Sequence, residues 1–381
     1  MNRRSMSVFV AAMAVAHAAH ADGSVTLYGV IDTGIDFVSN SGGERLWQMR
    51  DGTYAGIYGS RWGLKGTEDI GGGWKTVFRL ENGFSVENGQ FRQGGREFGR
   101  QAYVGLSHDR FGTLTLGRQY DSIVDYVAPT TLPGSLGGLF VHAGDIDNTS
   151  NSFRASNAVK YASPNLGGLT FGGVYALTNT NAAGMGATGM WSAGASYNVS
   201  GFTVAAGYLF AKHPGALFSD GDFQPNTTGS AIGASGPFSY VGQPKNEQIV
   251  GVGATYVVGR ATVGVDYTRA RFADANGTTG SVRFDNYEIW GQYAITPAVS
   301  VGGGYTFTDG KASYNGLKPR YHQIGGLVDY KLSKRTEIYL MGSVQKAAGD
   351  ARNADILDGA VGDASTSDRQ LAVRVGMVHK F

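Results

Sequence analysis

From residue 24 onward the chain alternates apolar with polar or small residues in runs of about ten, each ended by Gly, Asn, Asp or Ser. The segment 249–269 carries the pattern plainly. Val250, Val252, Ala254, Tyr256 and Val258 fall on one parity, and Gly251, Gly253 and Thr255 on the other. After Gly259-Arg260 the alternation resumes, with Ala261, Val263, Val265 and Tyr267 against Thr262, Gly264, Asp266 and Thr268. Successive side chains on a strand point to opposite faces, so this period of two predicts a hairpin with one apolar and one polar face.

Sixteen such runs are predicted, near 24–37, 58–68, 74–82, 98–107, 112–119, 156–163, 168–177, 188–198, 201–211, 246–258, 260–270, 283–293, 298–307, 320–331, 335–345 and 369–381. Most are longer than the five or six residues usual in soluble sheets, and about ten tilted residues cross a bilayer. No stretch after the first twenty residues is apolar enough for a spanning helix. Links alternate in length. Leu332 to Arg335 and Asp69 to Gly73 are short, whereas 38–57, 120–155, 212–245 and 346–368 are long and rich in Gly, Asn and Asp. An even number of long strands, joined alternately by short turns and long loops, predicts an all-β, transmembrane antiparallel barrel of 16 strands.

The first residues sharpen the picture. Arg3 and Arg4 precede an apolar stretch from Met6 to Ala16, and Ala19-His20-Ala21 supplies the small residues of a cleavage site. Residues 1–21 are therefore expected to be a signal peptide, and 22–381 the barrel domain. Removing Arg3 and Arg4 takes the formal charge from +2 to 0, which gives no support to a nucleic-acid partner. The chain has no cysteine, so neither a disulfide framework nor thiol chemistry is available. There are 60 glycines against 9 prolines, and 20 tyrosines with 19 phenylalanines, suited to aromatic girdles at the membrane interfaces.

Enzyme signatures are missing: there is no G-x-S-x-G, H-E-x-x-H or Walker-type loop. His108, His142, His213, His322 and His379 are scattered without metal spacing, so no metal or cofactor is expected. Ser107-His108-Asp109 cannot be a triad, because consecutive strand residues face opposite sides; it reads as a strand end.

Several segments together resemble the general trimeric porins of Gram-negative bacteria, in their β-proteobacterial branch. They are Ser24 to Gly29 (SVTLYG), Ser60 to Asp69 (SRWGLKGTED), Arg100 to Leu106 (RQAYVGL), Leu116 to Gln119 (LGRQ), Tyr161 to Asn165 (YASPN), Leu332 to Thr336 (LSKRT) and the terminal Val375 to Phe381. The resemblance implies an outer-membrane homotrimer whose water-filled lumen passes small hydrophilic solutes and ions. It also implies a long third loop folded into the lumen. Phe381, closing an aromatic-ended strand, looks like the signal read by the outer-membrane assembly machinery.

The resemblance further implies a basic wall at the constriction, carried here by Arg61, Arg100 and Arg154, with Lys65 and Arg79 as weaker lumen candidates. Trp62 and Leu64 toward lipid would turn Arg61 to the lumen. Around Arg100 the alternation is ambiguous, since apolar Val104 and Leu106 share its parity. Related porins carry acids on the third loop near a Pro-Glu-Phe-Gly-Gly turn; this chain has Pro133-Gly134-Ser135-Leu136-Gly137-Gly138. The turn is kept and the acid is missing. Asp121, Asp125, Asp145 and Asp147 are the loop acids left to substitute for it, and the loss tilts the expected pore toward anions. Two other uses of the same barrel stay open, a substrate-selective channel and a surface adhesin.

Overall fold

The computed structural model describes residues 23–179, 188–218, 236–357 and 361–381. The expected signal peptide lies outside them.

Each alternating run becomes a strand. In chain order they are β1 (Ser24–Ser41), β2 (Glu44–Asp51), β3 (Arg61–Gly71), β4 (Trp74–Gly83), β5 (Gln101–His108), β6 (Gly112–Gln119), β7 (Ala155–Ala162), β8 (Leu169–Leu177) and β9 (Thr188–Val199). There follow β10 (Phe202–Lys212), β11 (Asn246–Val258), β12 (Ala261–Ala273), β13 (Ser281–Ala294), β14 (Val299–Ala312), β15 (Pro319–Lys331), β16 (Thr336–Gly349) and β17 (Arg369–Lys380). All neighbours are antiparallel, and β1 closes the ring by pairing with β17 from Val30↔Lys380 to Val38↔Ala372. The last rung is double: Gly29 and Phe381 exchange both main-chain hydrogen bonds, each 3.1 Å. Closure satisfies every strand edge, which is what a sheet in hydrocarbon requires.

Seventeen strands make sixteen staves, because β2 and β3 share one. On its other side β1 pairs with β3 through Ser24–Val30 and with β2 from Thr33 to Ser41. This corrects the long loop expected over 38–57. The β1–β2 link is only Gly42-Gly43, both at positive φ, and the irregular part is 52–60. There the chain leaves the wall, forms the short helix α1 (Gly52–Ala55), and is held by Asp32, which accepts from the Tyr58 N–H at 2.9 Å.

The outer face is apolar and bare: Ile289, Val375 and Ile324 are each about 60% exposed, amid Val263, Val265, Leu340 and Met377. Such a continuous apolar surface is unsuited to water. Tyr197, Phe202, Tyr256, Tyr293 and Tyr330 are exposed beside the short turns, as an interfacial girdle.

The lumen is partly filled by the segment between β6 and β7. It begins with a π-helical turn, Ile123–Val127, and continues through a second short helix, α2 (Leu132–Leu136). Its seat is made of glycine. Gly172, Gly194, Gly207 and Gly251 are register partners across β8, β9, β10 and β11. A Cβ would meet Tyr126 at 2.6 Å from Gly172 and 2.7 Å from Gly194, and Val127 at 2.9 Å from Gly251. Only a bare backbone lets the turn lie this close. Farther round, Gly302 and Gly304 leave room for Leu136 and Leu132. The loop's apolar side chains are thereby buried on the wall; Ile123, Val127, Leu132, Leu136, Leu139 and Phe140 are all at most 2% exposed.

Candidate pore constriction

The third loop and the 52–60 arc meet in mid-lumen, where the Gly138 N–H donates to the Gly56 carbonyl at 2.7 Å. Beside this junction lies a cavity of about 350 Å3. Arg61, Arg100 and Arg154 line it from the wall, and Pro133, Gly134 and Ser150 from the loop, with Thr53 and Tyr58 on the arc. Among the described residues no carboxylate lines it.

Each arginine is placed by a different device. Arg61 opens β3 and alternates inward, its guanidinium donating to the Gly59 carbonyl at 3.1 Å and lying 5.9 Å from the Tyr58 ring. Arg100 escapes the parity that made it ambiguous: β5 begins only at Gln101, so Val104 and Leu106 face out while Arg100 turns in from the preceding bend. Arg154 precedes β7 in the same way and lies 5.9 Å from the ring of Tyr120.

Sequence reasoning missed Glu81. Its carboxylate accepts from Arg100 Nε at 2.8 Å, Tyr120 Oη at 3.1 Å and Tyr28 Oη at 2.7 Å. The alternation of β4 places Glu81 inward, but nothing local distinguishes it from any other lumen acid. Its partner is 19 residues away. Lys65 and Arg79 are direct register partners on β3 and β4, 5.3 and 5.7 Å from the Tyr28 ring. They share the basic wall's strands without lining the cavity.

The loop acids lie elsewhere. Asp121 is fully buried, accepting from the Ile123 N–H at 2.7 Å and from Asn148 Nδ2 at 2.7 Å. Burial, together with the nearby Asp125 charge, outweighs those donors and pushes its carboxyl up to about 6. Asp125 is ion-paired with Lys160, and its pKa is still raised by burial. Asp145 is buried under the N–H groups of Ser150 and Ser152, 2.8 and 3.1 Å away. Asp147 is buried against His142 at 2.6 Å. At the loop tip Gly134 is exposed, yet a Cβ there would collide with the Ala128 carbonyl oxygen.

A closed sixteen-stave barrel with a loop folded across its lumen is the frame of a diffusion channel. The comparisons agree. The family model for the Gram-negative porins matches residues 8–377. The chain belongs to the Gram-negative porin family. It is 30% identical to an outer membrane porin protein of Bordetella pertussis, over 96% of each chain. It is 27% identical to outer membrane porin protein 32 of Delftia acidovorans, over 98% of this chain and 99% of that one. The anion-selective porin from Comamonas acidovorans shares the fold at a TM-score of 0.73 and 23% identity, over 94% of this chain and 100% of that one. OmpT of Vibrio cholerae, in its trimer form, does so at 0.69 and 16%, over 94% of this chain and 99% of that one.

The porin is thus an outer-membrane channel for passive diffusion, and not an enzyme. Its strands supply closure, lumen and lipid face, and its glycines seat the loop that narrows the lumen.

Proposed function

We propose that this porin favours anions at a constriction formed by Arg61, Arg100 and Arg154 facing the third loop. One observation carries the reading: among the described residues three arginines line the cavity and no carboxylate does. Glu81 stands behind Arg100, so three positive groups and one negative leave the wall a net +2. One charge about 7 Å from an ion in water contributes roughly 0.6 kcal/mol. Two give about 1.2 kcal/mol, enriching anions about eightfold and depleting cations about as much before screening, and salt near 0.15 M shrinks both effects over a Debye length of about 8 Å. The pore discriminates without excluding cations.

Around that channel the reading includes removal of residues 1–21, assembly as a homotrimer, a lipid contact over the apolar outer face, and delivery by the assembly machinery through Phe381. The likeness to a trimeric porin supports the second, and the bare outer face the third. The deciding experiment is the reversal potential of single channels in planar bilayers under a KCl gradient. Anion-side potentials that weaken as salt rises are expected; a cation-side potential in the wild type would overturn the reading. Edman sequencing of the outer-membrane protein should begin at Asp22, and an unboiled sample should migrate as a trimer.

A further inference from the structure

His142 lies on the third loop, far round the lumen from the basic wall, and is fully buried. Its Nδ1 is 2.6 Å from Asp147 Oδ2, and Asp147 is itself held by Thr268 Oγ1 and by Asn286 Nδ2 at 3.0 Å. A carboxylate on Nδ1 fixes the tautomer and orientation of an imidazole and leaves Nε2 to act outward. That Nε2 faces two strand carboxylates, Glu288 Oε2 at 3.2 Å and Asp266 Oδ1 at 3.5 Å.

The two acids are an unusual pair. Asp266 on β12 and Glu288 on β13 are direct register partners, like charges in a position where they repel. Their side chains have no solvent exposure. Glu288 is occupied, accepting from the Leu132 N–H at 2.5 Å and from Thr306 Oγ1 at 2.9 Å. Asp266 is not: among the described residues no group donates a hydrogen bond to either of its oxygens, and the side chain it meets is Glu288 itself. With Asp147, three carboxylates stand against one imidazole. A buried charge excess of this kind needs a counterion or a bound proton.

We propose that His142 Nε2, Asp266 and Glu288 form a site for one divalent cation of the borderline class that zinc represents, clamping the third loop to β12 and β13. The spacing suits it. Ligand atoms about 2.05 Å from a tetrahedral metal are about 3.3 Å apart, and two of the three edges are 3.2 and 3.5 Å. The ligand atoms all lie within 4.8 Å of one another. One imidazole and two carboxylates, with a fourth position for water, match zinc, cobalt and manganese better than calcium, which takes six to eight oxygens. His142 is 124 positions from Asp266 and 146 from Glu288, so the clamp ties the loop to the opposite wall, not to its own neighbours.

The test uses the full mature protein, stripped with chelator, refolded in detergent with Zn2+, Co2+ or Ca2+, and desalted. The wild type should retain one zinc per chain, show the visible absorption of tetrahedral cobalt, and unfold at a higher temperature with zinc than without. Calcium should do none of this. Asp266→Asn, which keeps shape and removes charge, should lose at least tenfold in zinc affinity and lose the cobalt spectrum, with heat-modifiable migration and conductance showing that the barrel has formed. His142→Asn should behave alike. Wild type refolded in zinc yet carrying no stoichiometric metal would overturn the clamp, and so would an Asp266→Asn variant that binds zinc as tightly as wild type. In either case a shared proton would be the cation between Asp266 and Glu288. The basic wall takes no part in this test, so its outcome is independent of the anion preference.

Discussion

Arg100 Nε and Glu81 Oε1 are 2.8 Å apart, so the basic wall of the proposed constriction carries its own counter-charge inside the barrel. The pair is almost completely enclosed, with Tyr28 and Tyr120 hydroxyls donating to the same carboxylate. The acid fixes Arg100 in place and lowers the field that the wall projects. Selectivity and pre-organisation are thus opposed at one contact.

Glu81→Gln separates the two roles. The amide keeps one oxygen for Arg100 and Tyr120, turns an NH2 donor toward the Tyr28 hydroxyl, and removes one negative charge, raising the wall from net +2 to +3. One charge at about 7 Å is worth roughly 0.6 kcal/mol, or about threefold in anion enrichment with cations depleted about as much. The reversal potential should move toward anions, and Arg61→Ala, Arg100→Ala and Arg154→Ala should each move it toward cations with larger conductance. An unchanged potential in Glu81→Gln would mean that the wall's field does not set selectivity.

The sixteen staves were legible because each faces lipid on one side and a lumen on the other, which writes a period of two into the chain. The exception, β2, sits in a short segment with Glu44, Arg45, Arg50 and Asp51, and the arc after it cuts the run before it reaches spanning length. Arg61 could be placed by parity alone. Arg100 could not, since its orientation depends on where β5 starts. Glu81 and the His142 cluster were illegible for another reason: His142 and Glu288 are 146 residues apart, and only the register of β12 on β13 brings Asp266 beside them. The glycine row appeared in sequence only as an excess of glycine. Its meaning lies in four strands aligning it beneath Tyr126, Ile123 and Val127.

That seat gives a steric prediction. In Gly251→Val a branched side chain enters where a single Cβ would already be 2.9 Å from Val127. Overpacking of this kind costs about 1–3 kcal/mol, and a loop backed by a rigid wall can relieve it only toward the lumen. Conductance should fall while outer-membrane yield holds. Gly326→Val is the control, because a Cβ there has only one neighbour within 4 Å, at 3.6 Å, and faces outward. Equal conductance in the two variants would show that the loop does not depend on the glycine row.

Asp121 makes the loop's root sensitive to pH. Its carboxyl is raised to about 6 by burial, above the unfolded value near 3.9. The folded state therefore holds a proton that the unfolded chain has released. The sign follows: the contribution is fully present below about pH 4 and is lost as pH rises through 6, with a ceiling on the order of 3 kcal/mol. Asp121→Asn mimics the protonated form and should remove the dependence. The thermal midpoint in detergent, measured from pH 4.5 to 8 for both proteins, checks this. The wild type should approach Asp121→Asn at the acid end and fall below it at the alkaline end; parallel curves would refute it.

The missing acid at the loop tip can be tested only by respecting the tip's geometry. Gly134→Glu would restore it directly, but a Cβ at Gly134 would strike the Ala128 carbonyl oxygen, so the substitution moves the loop as well as adding charge. Gly134→Ala exposes the steric part, since it adds no charge; it should already alter conductance. Ser150 offers a cleaner position. It is exposed, lines the same cavity from the loop side, and anchors through its main-chain N–H to Asp145, a bond that a side-chain change leaves intact. Ser150→Glu should therefore place a carboxylate opposite Arg61, Arg100 and Arg154 without displacing backbone. Against a wall of net +2, one added negative charge halves the net field, and the anion enrichment should fall about threefold, by roughly 0.6 kcal/mol. Reversal potentials of Ser150→Glu and Ser150→Gln under the same KCl gradient isolate the charge. If the two coincide, ions do not pass between this loop face and the arginines, and the constriction lies elsewhere in the lumen.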